Sequence, residues 1–192
     1  MGTRNLTAVY LDGQYKVAQY GQWDGYPSGQ GETVLNFMLN EFNVDKFKQA
    51  LSECRFLSDD EVTAKWKCGA DDSGFGNFQR KYPELSRDTA AKVLSLIQNG
   101  KAKELSNNID FAVDSLFCEW AYIIDLDREI LEVYEGFNKV PLTIEDRFFD
   151  MQETSERKEY YPIKMIRSYK FSELTKHTMT ELEESLSNKN EE

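Results

Sequence analysis

An Asp-Gly step, Asp12-Gly13, stands between two β-rich runs at residues 6–11 and 15–20. Glycine accepts the positive φ of a tight hairpin turn without steric cost, so this step between alternating runs predicts a β-hairpin. Alternation places Leu6, Ala8 and Tyr10 on one face, with Thr7, Val9 and Leu11 on the other. Both faces are largely apolar, which predicts a central hairpin covered on both sides.

A second hairpin is expected from residues 117–125 and 129–134, turning through Asp127-Arg128, and a further strand from residues 160–169, with Ile163, Met165 and Ser168 in alternation. Val34, Leu35, Met38 and Leu39 recur at helical spacing after Glu32. Asn43 is expected to cap a helix with Val44, Phe47, Ala50 and Leu51 on one face, and Ser58 another running through Val62 and Trp66 to Gly69. Residues 70–81 read as irregular, after which Ser86 caps a helix carrying Ala90, Val93, Leu94 and Ile97, stopped by Asn99-Gly100. Strands that do not alternate regularly with helices argue for an α+β fold, with a mainly antiparallel sheet built from two β-hairpins and about four helices packed on it. One domain, residues 1–186, followed by a disordered acidic tail at 187–192, suits a chain of 192 residues.

Several function classes are disfavoured. No apolar run approaches the roughly 20 residues that span a bilayer, and the opening Met-Gly-Thr-Arg-Asn lacks a signal peptide's apolar stretch. A cytoplasmic protein without a membrane partner is expected. Cys54, Cys68 and Cys118 are too widely spaced for a disulfide framework or a zinc knuckle and read as small buried hydrophobes. The single histidine, His177, cannot furnish a multi-histidine zinc site, and it makes a Ser-His-Asp triad improbable. Asp59-Asp60-Glu61 reads as a first helical turn, and Asp71-Asp72 lacks calcium-loop spacing, so no metal and no cofactor are expected. Trp120 and Tyr122 read as core, and Arg128 as a solvated turn residue. With 23 Lys and Arg against 34 Asp and Glu, the net charge of −11 repels nucleic acid polymers. It favours solubility, or a basic protein partner.

The richest stretch is residues 21–31, with four glycines and one proline between the first hairpin and the first helix. Backbone N–H groups at such a junction, with the helix dipole behind them, can hold a phosphate. Trp23 and Tyr26 offer π-faces for a base, Gln22 and Asp24 can orient a sugar or base edge, and Ser28 and Gln30 add polar contacts. Arg4 is the counter-charge nearest by topology, because pairing returns Tyr20 towards Leu6. The expected ligand-binding set is therefore Arg4, Gln22, Trp23, Asp24, Tyr26, Ser28, Gly29, Gln30 and Gly31, with no catalytic residue assigned. A rigid structural loop packed on Trp23, Tyr26 and Pro27 is the plain alternative. The stretch is neither a Walker A sequence nor a dinucleotide fingerprint.

The start Gly2-Thr3-Arg4 and the string Tyr20-Gly21-Gln22-Trp23-Asp24-Gly25-Tyr26-Pro27-Ser28-Gly29 resemble a set of mostly uncharacterised phage and microbial proteins. Those proteins open with a small residue, Thr and Arg, and carry a Trp-Asp-Gly-Tyr-Pro loop after the first hairpin. The second-hairpin phrase, residues 121–127, is similar too. Thr3, Arg4 and Asp24 also resemble, more faintly, the start of N-terminal nucleophile hydrolases of the penicillin V acylase and bile-salt hydrolase type. That chemistry needs a cysteine side chain and its freed α-amine, and Gly2 stands where the cysteine would be. Together the loop and the phage-like resemblance imply a small-molecule binding protein of anti-defence type, sequestering a nucleotide or nucleotide-derived immune signal. The alternatives are a hydrolase of related architecture and an acidic protein-binding inhibitor. The sequence leaves the oligomeric state open.

Overall fold

The computed structural model describes residues 2–69, 75–154 and 159–189. Strands β1 (Asn5–Leu11) and β2 (Gln14–Gly21) form the expected first hairpin, with Leu6 opposite Tyr20 and Thr7 opposite Gln19. Asp12 and Gly13 both have positive φ, 54° and 73°, as a two-residue turn matched to strand twist requires. Helix α1 (Glu32–Asn36) is continued at both ends by wide π-type turns, Pro27–Gly31 before it and Phe37–Glu41 after it. Asn43 caps α2 (Val44–Ser52), its side chain accepting the Lys46 N–H at 2.9 Å. A two-residue strand, β3 (Arg55–Phe56), leads to α3 (Asp59–Gly69), whose start is closed reciprocally by Ser58 and Glu61.

Then come α4 (Phe75–Lys81), a tight turn at Ala90–Lys92 running into α5 (Val93–Gln98), and β4 (Glu104–Leu105), which pairs with β3. The second hairpin is β5 (Trp120–Asp125) with β6 (Ile130–Glu135), followed by β7 (Lys164–Lys170) and α6 (Thr178–Lys189).

The main sheet has the order β2-β1-β5-β6-β7. Three of its four pairings are antiparallel, but β1 and β5 run parallel, Asn5 beside Trp120, so the sheet is mixed. A parallel junction needs a long crossover, and residues 22–119 supply it with most of the helices. The α+β class and both hairpins stand, and three of four pairings are antiparallel as expected; the β1–β5 pair makes the sheet mixed, and six α-helical segments among the described residues replace the expected four or so.

Local boundaries shift as well. Residues 75–81 are helical where irregular chain was expected, while 70–74 lie outside the described residues. Ser86 shapes a turn, its hydroxyl accepting the Asp88 N–H, and the helix it was expected to cap begins only at Ala90. The last helix carries residues 187–189, which corrects the tail expected to begin at 187; residues 190–192 lie outside the described residues. Met179, Leu182 and Leu186 form a stripe that packs this helix on the core, which outweighs the acidity of its outer face.

Both faces of the sheet are covered. Val9, Val17, Tyr122, Ile124, Leu131 and Val133 meet α1, α2, α5 and α6 on one side. Leu6, Ala8, Ala18, Ala121, Ile123 and Tyr134 meet Leu142, Phe148 and Ile163 on the other. No helix among the described residues is long and apolar enough to cross a membrane.

Candidate functional site

The loop at 21–31 is held by its own backbone. Gly25 N–H donates to the Thr3 carbonyl at 2.9 Å, Gln30 N–H to Asp24 at 2.8 Å, and the Gly29 and Gly31 N–H groups both to Tyr26, at 2.9 and 3.2 Å. Asp24 takes a positive φ of 55°, and a Cβ on Gly29 would lie 2.2 Å from the Asp24 carbonyl oxygen. Side chains tie the loop to its surroundings. Asn5 Nδ2 and Gln30 Nε2 donate to the Trp23 carbonyl, Tyr122 OH donates to the Gly25 carbonyl, and Ala91 N–H donates to Gln30 Oε1. Trp23 and Tyr26 stand out from this frame, 47% and 52% exposed.

The donors expected to hold a phosphate are therefore engaged within the chain. Those of Gly29 and Gly31 are spent on Tyr26, and that of Gln30 on Asp24. The N–H and hydroxyl of Ser28 both donate to Glu183 Oε1 on α6, at 2.9 and 2.7 Å. A carboxylate of the protein's own occupies the place drawn for a ligand anion. Asp24 contributes through its backbone, by setting the turn.

Arg4 is also parted from the loop's aromatic groups. Alternation along β1 puts it on the Leu6 face, its guanidinium 4.4 Å over the Phe117 ring and its N–H donating to Glu119 Oε1. Gln22 joins that side, accepting the Tyr20 hydroxyl at 2.7 Å. Burial raises the pKa of Tyr20, opposed by the charges of Arg4 and Arg87. The nine expected residues thus fall into two groups, Arg4 with Gln22, and the rest around Trp23 and Tyr26.

Sequence reasoning missed what lies beside Trp23. Its indole N–H donates to Asp88 Oδ1 at 3.0 Å, and Gln79 Nε2 bonds the other oxygen of Asp88. Asp88 and Gln79 line a cavity of about 540 Å³ together with Pro83, Thr89, Lys92 and Leu96. These residues lie more than 50 positions from Trp23, so no local signal joins them to it.

Two polar clusters are buried elsewhere. Asn5, Thr7 and Gln19 lie on one face beneath the loop, and Asn5 Oδ1, Thr7 Oγ1 and Gln19 Oε1 have no hydrogen-bond partner among the described residues. On the opposite face Arg147 binds both Asp125 and Glu132, which are almost wholly buried, and stacks over Tyr10 at 4.7 Å. Tyr134 OH donates to Glu132 Oε2 at 2.8 Å, and the expected solvated Arg128 reaches Glu132 Oε1 at 3.2 Å. Burial pushes the Tyr15 hydroxyl up to about 12 and raises that of Tyr134, so neither serves as a base near neutral pH. Arg147 satisfies both carboxylates, and the cluster clamps the segment after β6 onto the sheet.

The cysteines differ from one another. Cys118 is buried and Cys54 half-buried, but Cys68 is exposed on α3, which corrects the expectation of three buried thiols. Gly2 packs so closely that a Cβ would lie 2.2 Å from Trp23 Cε3 and 2.4 Å from the Gln22 carbonyl oxygen, so a cysteine there would displace Trp23. Among the described residues, no three His, Cys, Asp or Glu side chains are grouped to hold a metal. Comparison with protein-family models, curated proteins and solved structures finds no match for this chain.

Proposed function

We propose that this chain is a small-molecule binding protein in which Trp23 forms a wall of the ligand site, and that the ligand is a nucleotide or nucleotide-derived signal held without turnover. One observation carries the reading: Asp88 accepts the Trp23 indole N–H and also lines the adjoining cavity of about 540 Å³. That volume lies within the roughly 300–1,000 Å³ of small-molecule sites. An exposed indole offers a stacking face worth about 1–3 kcal/mol per base. Lys92 in the cavity wall supplies a cation for phosphate, replacing the loop amides in that role. The internally bonded loop is pre-organised, which lowers the entropic cost of binding.

A thermal-shift screen against nucleotides, cyclic dinucleotides and ADP-ribose derivatives tests this, with recovered ligand identified by mass spectrometry. A ligand at 100 times its Kd stabilises by about 2.7 kcal/mol, a shift of about 5 °C or more. Intact ligand, lost in Trp23→Ala and weakened in Lys92→Glu, supports the reading. Altered ligand replaces it with the hydrolase alternative. No shift with any compound removes it.

A second reading has its own support. Trp23 and Tyr26, both about half exposed on a rigid loop of an acidic chain, have the character of anchors for a protein partner. Capture of a basic partner that weakens steeply with salt and is lost in Tyr26→Ala favours it.

A further inference from the structure

A second cleft opens between the end of the second hairpin, β7 and α6, and none of the expected loop residues lines it. Its volume is about 460 Å³. Ile166, Leu182 and Leu186 supply apolar wall, and Lys164 and Arg167 stand on the same wall with Glu135 as the acidic member. Glu135 stands opposite Lys164 across the β6–β7 ladder, and among the described residues the cleft lining carries two cations against one carboxylate in a chain of net charge −11.

The lip of the cleft is unusual too. Phe137, between the lining residues Gly136 and Asn138, is 52% exposed and held at a positive φ of 54°. A bulky aromatic residue pays for that conformation, and such strain clusters at ligand sites. Asn138 makes the lip rigid, donating from Nδ2 to the Pro162 carbonyl at 2.9 Å and accepting the Val140 N–H at 3.0 Å.

We infer that this cleft is a binding site for a small amphipathic anion, a molecule with an apolar body and one carboxylate, sulfonate or phosphate head. The body lies along Ile166, Leu182 and Leu186, and Arg167, opposite Val133 on the same face, takes the head, since Lys164 stands opposite Glu135. An uncharged apolar ligand leaves Arg167 unused.

Anilinonaphthalene sulfonate, an apolar anion whose fluorescence rises in such an environment, is the probe. The native chain is expected to bind one equivalent saturably, with decanoate displacing it. Arg167→Glu is expected to weaken binding at least about tenfold. Ser185→Trp, which fills the cleft and leaves both cations, abolishes it, with thermal melting reporting that each variant is folded. No fluorescence rise with the native chain overturns the inference, as does equal affinity in both folded variants. Dye binding lost in Trp23→Ala but kept in Arg167→Glu assigns the dye to the other cavity and overturns it as well.

Discussion

Glu183, on the last helix, accepts both the backbone N–H and the hydroxyl of Ser28 at the start of the first, through a single carboxylate oxygen. The contact joins residues 155 positions apart and puts a negative charge at a helix N-terminus, where the dipole favours it. Glu183 also adds to the burial that raises the pKa of Glu32. Glu183→Ala is expected to cost about 1 kcal/mol, as loss of a cap does, and to lower Tm by about 2–4 °C. Glu183→Gln, which keeps an acceptor, loses less. Thermal denaturation followed by circular dichroism measures both, and an unchanged Tm in Glu183→Ala refutes the capping role.

Arg147 holds Asp125 and Glu132 together on the covered face of the sheet. Removing the cation leaves two buried carboxylates without their partner. Arg147→Met is therefore expected to destabilise by about 3–5 kcal/mol, read as the shift in urea-denaturation free energy. Arg147→Lys, which keeps charge without the planar fork, is expected to fall between. A loss below 1 kcal/mol in Arg147→Met would show that the clamp does not hold the segment.

Asp127 accepts the N–H groups of Gly13 and Asp12, so the turn of one hairpin is bonded to the turn of the other. These bonds hold its carboxyl below the ordinary value of 3.8. A folded-state pKa below the unfolded one contributes stability that is present above the unfolded value and lost as pH falls through the folded one. The native chain is expected to lose more stability below about pH 4 than Asp127→Asn does. Parallel acid-denaturation curves for the two proteins would contradict this.

Thr7 is fully buried, and its hydroxyl has no partner among the described residues. Thr7→Val removes an unsatisfied polar atom at nearly constant shape and is expected to stabilise by about 1 kcal/mol. Asn5→Ala is expected to act oppositely, because it deletes the bond to the Trp23 carbonyl and frees the loop. Chemical denaturation of the pair, with amide exchange at residues 23–31, separates the two effects.

Burial raises the thiol of Cys54 to about 11 and that of Cys118 well above 9.0, while Cys68 is exposed. Titration with a disulfide reagent is expected to label Cys68 alone in the native protein and all three cysteines after denaturation. Rapid native labelling of Cys118 would place the segment around it outside the core.

The hairpins were legible because their signals are local. Asp12-Gly13 demands positive φ within two residues, and period-two alternation extends over the adjoining strands. The caps of α2 and α3 were legible for the same reason, since Asn43 and Ser58 reach only three residues ahead. Trp23 and Tyr26 stand exposed on the loop, while its N–H donors meet internal partners that no local pattern announces. Glu183 and Asp88 meet the loop only after the chain has crossed the sheet, and nothing near residue 28 or 23 announces them.

By itself the sequence determined the two hairpins, the caps of α2 and α3 and the aromatic loop between β2 and α1, because turn preference and hydrophobic period act over a few residues. The parallel seating of β5 beside β1, the carboxylate of Glu183 at Ser28, the Arg147 clamp and the two clefts were decided by tertiary structure. Each arises where residues far apart in the chain bury one another, and the free energy of that burial depends on partners that local pattern does not contain.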